Sequence, residues 1–270
     1  MFLQALPNRS FLRVNGDDAE AFLDGILSCT VLGLNTQEAK FGALLTPQGK
    51  ILFDFFLIKE ADGFLLDVNQ ELAADFLKRL MFYRLRAKVD LTPVDNISVI
   101  VSSHVPDGHD GMAIQDPRHP DLGYRLYSNT SDVSNSGSYL AQRIQLGIPE
   151  GDTDFAYGNA YPHETLMDQF AGVDFKKGCY VGQEVVSRMQ HRGTAKKRVA
   201  LIEAETDLPI KGTQITADGK PAGTLGSVDG AAGLAILRLD RIADASQVMA
   251  GDVAISVELP DWVNFGFPAE

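Results

Sequence analysis

Cysteine is almost absent from this chain: Cys29 and Cys179 are the only two in 270 residues. A pair so far apart supplies neither a disulfide framework nor four thiolates for a metal or iron–sulfur cluster, and is the usage of a reducing compartment. The five histidines (His104, His109, His119, His163 and His191) show no HxxxH or HExxH spacing, so a zinc site is not expected. No apolar run approaches the length of a membrane span, and the longest, such as Ile51–Ile58, is strand-sized. The start of the chain has neither a basic segment ahead of an apolar one nor an Arg/Ser-rich amphipathic presequence, which gives the expectation of a bacterial cytoplasmic protein. GxGxxG after a strand, GxxxxGK[ST] and GxSxG are missing too, which excludes Rossmann, P-loop and hydrolase chemistry. An excess of basic charge is also lacking. With 24 Lys+Arg against 36 Asp+Glu the net charge is -12, so bulk charge draws the chain to neither nucleic acid nor anionic membrane. The expectation is no membrane partner, and no nucleic acid with tRNA left open.

What is present is an ordinary globular composition, 45% hydrophobic and 22% charged, long enough for one large domain or two ordinary ones. Asp18–Leu27 places Ala19, Phe22, Leu23, Ile26 and Leu27 on one helical face. Phe41–Leu45 and Ile51–Ile58 read as strands joined by Thr46-Pro47-Gln48-Gly49, whose Pro and Gly fit a type I turn. Phe64–Val68 predicts a strand, and Asn69 an N-cap for a helix carrying Leu72, Phe76, Leu77 and Leu80. Further strands are predicted over Ile97–Ser102 and Gly123–Tyr127, and a short helix over Ser138–Leu146, closed by Gly147. Ser102–Pro120 and Ser128–Gly137 read as surface loops. This order predicts an α+β body. From about residue 197 short strands alternate with Asp-Gly and Gly-rich turns, which predicts a small β-barrel or sandwich. The expected division is residues 1–195 and 196–270.

The unusual segment runs from Lys176 to Arg198, where seven Lys/Arg accompany one acid, Glu184. A basic island in an acidic chain suits carboxylate or phosphate groups; a solvated linker between domains would read the same. Cys179 lies inside it between Gly178 and Gly182, ahead of a helix predicted to start at Gln183, with Glu184 and Arg188 as an i,i+4 pair. Neighbouring Lys176 and Lys177 and the helix dipole would favour the thiolate, making Cys179 a candidate nucleophile or transient metal or sulfur ligand; an inert buried cysteine, the commoner case, would read the same. Cys29, in an apolar run, reads as core filler.

The block Lys177-Gly178-Cys179-Tyr180-Val181-Gly182-Gln183-Glu184, followed by Arg188, strongly resembles the signature of the folate-binding YgfZ family, which includes mitochondrial, CAF17-type iron–sulfur assembly factors and is related to the T-protein aminomethyltransferase of glycine cleavage. The resemblance extends to Arg13–Ala19, Leu45–Lys50, Arg143–Ile144, Gly147–Pro149, Tyr161–Glu164 and His191–Gly193, and is weakest over Ser98–Ser138. It implies a GcvT-like aminomethyltransferase folate-binding fold of ring-arranged α+β modules with a C-terminal β-barrel. It also implies tetrahydrofolate or a derivative as cofactor, and iron–sulfur assembly proteins and [4Fe–4S] clients as partners. Cys179 would be the functional thiol, with Lys177, Gln183, Glu184 and Arg188 around it. Asp54, Asn69, Tyr83, Arg86 and Gln145 would be the folate-pocket candidates. T-proteins carry paired acids where this chain reads Phe53-Asp54, and a Glu where it has Gln145. The reading that follows is a folate-binding accessory protein for assembly or repair of [4Fe–4S] proteins. The alternative is a tetrahydrofolate-dependent one-carbon transferase acting on a small amine or tRNA, with Asp54 as acid or base.

Overall fold

The computed structural model describes residues 1–129, 133–193 and 195–268. The chain forms two compact units, each discontinuous: Met1–Tyr139 with Phe170–Gln183, and Leu140–Gln169 with Glu184–Glu270.

The first unit is built on a five-stranded antiparallel sheet. Its strands are β2 (Arg9–Asn15), β3 (Ala39–Leu45), β4 (Ile51–Glu60), β5 (Gly63–Asn69) and β6 (Asp90–Val94), in the order β3-β4-β5-β2-β6. The β3–β4 connection is the predicted turn: the Gly49 amide donates to the Thr46 carbonyl at 2.8 Å, and Gly49 takes the positive φ of 80° that a side chain would resist. Strand alternation then sorts the side chains. Leu12, Val14, Phe53, Phe55, Leu57, Leu66 and Val68 share one face, which buries α1 (Ala19–Ile26) through Leu23 and Ile26, and α2 (Ala73–Arg84) through Phe76 and Leu80. Asn69 does not cap α2 directly. Its Oδ1 accepts the Glu71 amide and opens one tight turn, Gln70–Leu72, that leads into the helix.

The opposite face carries Arg9, Phe11, Phe41, Asp54, Phe56 and Asp67, and meets a four-stranded sheet within the same unit. That sheet contains β1 (Leu3–Ala5), β7 (Ser98–Ser102), β8 (Met112–Gln115) and β9 (Tyr124–Ser128), in the order β1-β7-β9-β8. β8 lies inside Ser102–Pro120, expected to be loop throughout. Its Ile114 is buried, and four residues flanked by Gly and Asp carry too little periodicity to be read. Part of the second expected loop, residues 130–132, lies outside the described residues; beyond it Ser136 bridges to Leu3.

In the second unit, β10 (Lys197–Glu203), β11 (Gln214–Ala217), β12 (Lys220–Asp229), β13 (Ala232–Arg238), β14 (Val248–Ala250), β15 (Val253–Ala254) and β16 (Ser256–Glu258) form one antiparallel sheet. Its order, β15-β14-β11-β12-β13-β10-β16, ends on two strands consecutive in the chain, so the sheet curls into a nearly closed barrel around Ile202, Ile215, Leu225 and Leu237. α3 (Tyr139–Gln145) brings in Arg143, a fully buried guanidinium. It donates to the Ile148 carbonyl, the Asp154 carboxylate and the Ser227 hydroxyl, tying the 148–154 segment to β12. Among the described residues no helix is long and apolar enough to cross a membrane.

Candidate functional site

The segment from Asp174 to Gly182 is irregular, so its backbone must be held from outside. Asp174 starts the fastening. Its amide donates to the Ser28 carbonyl at 2.9 Å, its carboxylate meets the Thr30 hydroxyl, and its Oδ1 accepts the Lys176 and Lys177 amides at 2.7 and 3.2 Å. Partial burial works to raise this carboxyl, but those hydrogen bonds prevail and hold it below the usual range.

Lys177 is the second anchor, and the structure departs here from the expectation of an ammonium facing the thiol. Its side chain is 4% exposed and points inward. Nζ lies 3.1 Å from Asp24 Oδ1 and donates to the carbonyls of Leu27 and Cys29 at 3.0 and 2.7 Å. Those carbonyls follow the end of α1 and have no further helical turn to donate to them; the lysine takes that place. Tyr180 is the third anchor. Its ring is buried with the Lys177 ammonium 5.5 Å from its centroid, and burial raises its phenol. Its hydroxyl is a buried polar atom without a hydrogen-bond partner among the described residues. Val181 then packs on the sheet–helix core. Gly182, at φ 81°, lies so close to the Thr46–Gly49 turn that a Cβ would stand 2.5 Å from the Thr46 carbonyl oxygen.

Between the anchors Lys177 and Tyr180, Gly178 and Cys179 are exposed. A fixed loop therefore presents a free thiol to solvent at its tip. The other cysteine is its opposite: Cys29 is fully buried, and desolvation pushes its thiol up to about 12.

α4 (Gln183–Arg192) begins where expected, four residues after the thiol, and Glu184 and Arg188 form the predicted pair at 2.8 Å on its solvent side. Part of the basic island is committed to partners. Lys177 is bound as described, Arg188 pairs with Glu184, and buried Arg198 donates to the His163 carbonyl and Asp168, both at 2.7 Å.

The five folate candidates do not converge. Asp54 on β4 is buried, and register carries its row across the sheet to Asn69 on β5 and Arg9 on β2. Tyr83 belongs to α2 and packs on the opposite face. Arg86, exposed, precedes β6, whose Asp90 pairs with Asn15 at the far end of β2 from Arg9. Tyr83 and Arg86 are thus separated from Asp54 and Asn69 by both face and end of the sheet. Gln145 is exposed in the second unit.

Sequence reasoning missed the charged layer beside Asp54. Asp67, fully buried, accepts from Arg9 at 2.6 Å, from Arg125 at 2.7 Å and from the Tyr127 hydroxyl at 2.9 Å. Asp116 is bidentate to Arg118, whose Nη2 also reaches the Tyr139 hydroxyl at 2.7 Å. The guanidiniums of Arg9, Arg118 and Arg125 all lie over the Phe56 ring, Arg125 nearest at 3.8 Å. The one signal for this layer was an acid in the middle of an apolar strand, Phe64-Leu65-Leu66-Asp67-Val68. Among the described residues no group of three or more His, Cys, Asp or Glu is placed to hold a metal ion.

Comparison with known proteins accounts for both units. Residues 196–265 match the family model of the CAF17 C-terminal beta-barrel domain. The described fold is similar to glycine cleavage system aminomethyltransferase T from Bartonella henselae, with a TM-score of 0.77 over 97% of this chain and 86% of that one at 14% identity. The architecture is therefore a GcvT-like aminomethyltransferase fold with a C-terminal, nearly closed β-barrel. Iron–sulfur cluster assembly factor IBA57 of Mus musculus is 31% identical over 95% of this chain and 84% of its own length, and the human protein 30% identical over the same shares. The homologue of Pyricularia oryzae is 33% identical, with the match spanning 72% of this chain and 55% of that protein. These relatives are named as mitochondrial, which overturns the expectation of a bacterial cytoplasmic protein. By sequence and by barrel, the chain belongs to the IBA57/CAF17 family of GcvT-related iron–sulfur cluster assembly factors.

Proposed function

We propose that this protein is a folate-binding accessory factor of the YgfZ kind, acting in the assembly or repair of [4Fe–4S] proteins through Cys179. The observation that carries the reading is the exposed thiol held between two buried anchors, Lys177 and Tyr180, in a member of this family. A sulfur on a mobile loop would lose ordering entropy each time it met an acceptor; a fixed tip has already lost it. Cys179 would act as a transient ligand or sulfur nucleophile toward an iron–sulfur assembly protein or a [4Fe–4S] client. Gln183 would close the loop from α4, where its amide donates to the Tyr180 carbonyl at 3.3 Å. Glu184 and Arg188 would offer the client a charged pair on the same helix.

The residues fit tetrahydrofolate in part. A pterin presents adjacent N–H donors, for which the buried Asp54 carboxylate is a suitable acceptor, and the Asn69 side-chain amide in its row can donate to a ring acceptor. Asp54 and Asn69 would hold the ring, while Tyr83 and Arg86 lie too far round the sheet to join them. When bound, tetrahydrofolate supplies one-carbon chemistry at its ring nitrogens. Asp54 also supports the second reading, a one-carbon transferase toward a small amine or tRNA in which it would move the proton.

The test is aconitase activity in cells lacking the protein, rescued with wild type, Cys179→Ser or Asp54→Asn at matched expression, with folate binding measured by titration on the purified chains. The proposal expects rescue by wild type, no rescue by Cys179→Ser, and weakened folate binding in Asp54→Asn. Full rescue by Cys179→Ser would remove the thiol from the mechanism. Folate turnover with an added acceptor, lost in Asp54→Asn, would favour the transferase.

A further inference from the structure

Helix α2 is apolar on two sides. Its inner side, Phe76 and Leu80, is buried on the sheet, whereas Phe82, Leu85 and Met81 project outward with 68%, 86% and 51% of their surface exposed. Large apolar side chains scattered singly on a surface need no explanation, but three on one end of one helix do. Leu85 adds a second observation. It ends the helix at φ 46°, a left-handed conformation that glycine adopts freely and a γ-branched residue does not. A leucine is held there with its side chain in water.

The stretch of chain around them is basic, with Asp17 and Asp18 beside Lys88. From Lys78 to Lys88 the chain carries five bases and no acid, in a protein of net charge -12. Lys78, Arg79, Arg86 and Lys88 are exposed, the first two within a turn of Phe82 and the others directly after Leu85. Lys88 meets Asp17 at 3.5 Å with both side chains largely in solvent, a pairing too exposed to quench it.

We infer that this end of α2 is a membrane-surface contact, Met81, Phe82 and Leu85 entering the interface of an anionic bilayer while the flanking lysines and arginines meet its phosphate headgroups. The apolar groups form a convex knob with no groove between them, and three side chains are far fewer than the 20–30 residues a stable protein interface uses on each side. Insertion of a few apolar side chains beside a basic cluster suffices at a lipid surface. Two of the three, Leu and Met, have no ring on which a nucleobase could stack, which disfavours single-stranded RNA. The acidic body does not cancel the attraction, because at physiological salt a charge beyond about 8 Å is largely screened. Bulk charge alone, the ground for expecting no membrane partner, therefore does not decide the matter.

The experiment is flotation of the full chain with vesicles of phosphatidylcholine alone and of phosphatidylcholine containing about a third phosphatidylglycerol. Wild type should float with the anionic vesicles only and be released by salt. Phe82→Asp with Leu85→Asp, and separately Arg86→Glu with Lys88→Glu, should each lower the bound fraction about tenfold while circular dichroism stays that of wild type. Wild type that ignores anionic vesicles overturns the inference. So do variants that bind like wild type, or a patch whose variants change only self-association or RNA binding.

Discussion

The Lys177 ammonium donates to the Cys29 carbonyl oxygen at 2.7 Å. The residue two positions before the exposed thiol is thereby fastened to the backbone of the buried one. With Asp24 and Leu27 as its other partners, this lysine stabilises the loop from inside. Lys177→Met would leave two carbonyls without this donor and Asp24 without its counter-charge, with the Val31 amide still donating to it, and should cost about 3 kcal/mol. Cys179→Ser, at an exposed tip, should change stability by less than about 0.5 kcal/mol. Urea unfolding of both variants checks the division of labour. A stable Lys177→Met would return the lysine to the role of a surface charge.

The two thiols should separate by reactivity. A chromogenic disulfide reagent should titrate one cysteine in the native protein, lost in Cys179→Ser. The second should react only in denaturant, because Cys29 is buried and its thiol, pushed up to about 12, stays protonated at neutral pH. Two fast thiols in the native state would refute the assignment of Cys29 as core.

Two glycines of the signature should tolerate a methyl group differently. Around Gly178 nothing lies within 4 Å of a built Cβ, so Gly178→Ala should be close to neutral. Gly182 combines φ 81° with a 2.5 Å approach to the Thr46 carbonyl oxygen, so Gly182→Ala should cost about 2 kcal/mol or more and loosen the loop from the β3–β4 turn. Thermal melts of the two variants give the comparison, and equal melting temperatures would contradict it.

What could be read from the sequence was local. The face of α1, the Thr46–Gly49 turn, the barrel strands and the i,i+4 pair of Glu184 and Arg188 each depend on residues within a few positions of one another. β8 and the charged layer are not local. Arg9, Asp67, Asp116 and Arg125 come from four separate segments, and only sheet packing shows that they meet. Lys177 shows the same limit: its partner Asp24 is distant in sequence, and nothing in the residues around Cys179 says that the lysine points inward. Tyr83 and Arg86 failed to join Asp54 because sequence patterns do not state which face of a sheet a following helix covers.

The charged layer predicts how the protein responds to acid. Burial works to raise the Asp67 and Asp116 carboxyls, but Arg9 and Arg125 around Asp67, and Arg118 beside Asp116, overcome it and hold both below their ordinary value. Each therefore contributes stability that is complete above the unfolded pKa of about 3.9 and is lost as pH falls toward the lower, folded value, where the unfolded chain takes up the proton first. These two carboxylates put no slope on the melting temperature between neutral pH and about 5 and make it fall below about 4. Asp67→Asn removes the charge that balances two buried guanidiniums and should cost about 3 kcal/mol at neutral pH. Its deficit against wild type should shrink toward pH 3, where the wild-type carboxylate is losing its own advantage. Melting curves of both proteins between pH 3 and 7 provide the measurement. A deficit constant across that range would mean that the Asp67 carboxylate contributes shape rather than charge.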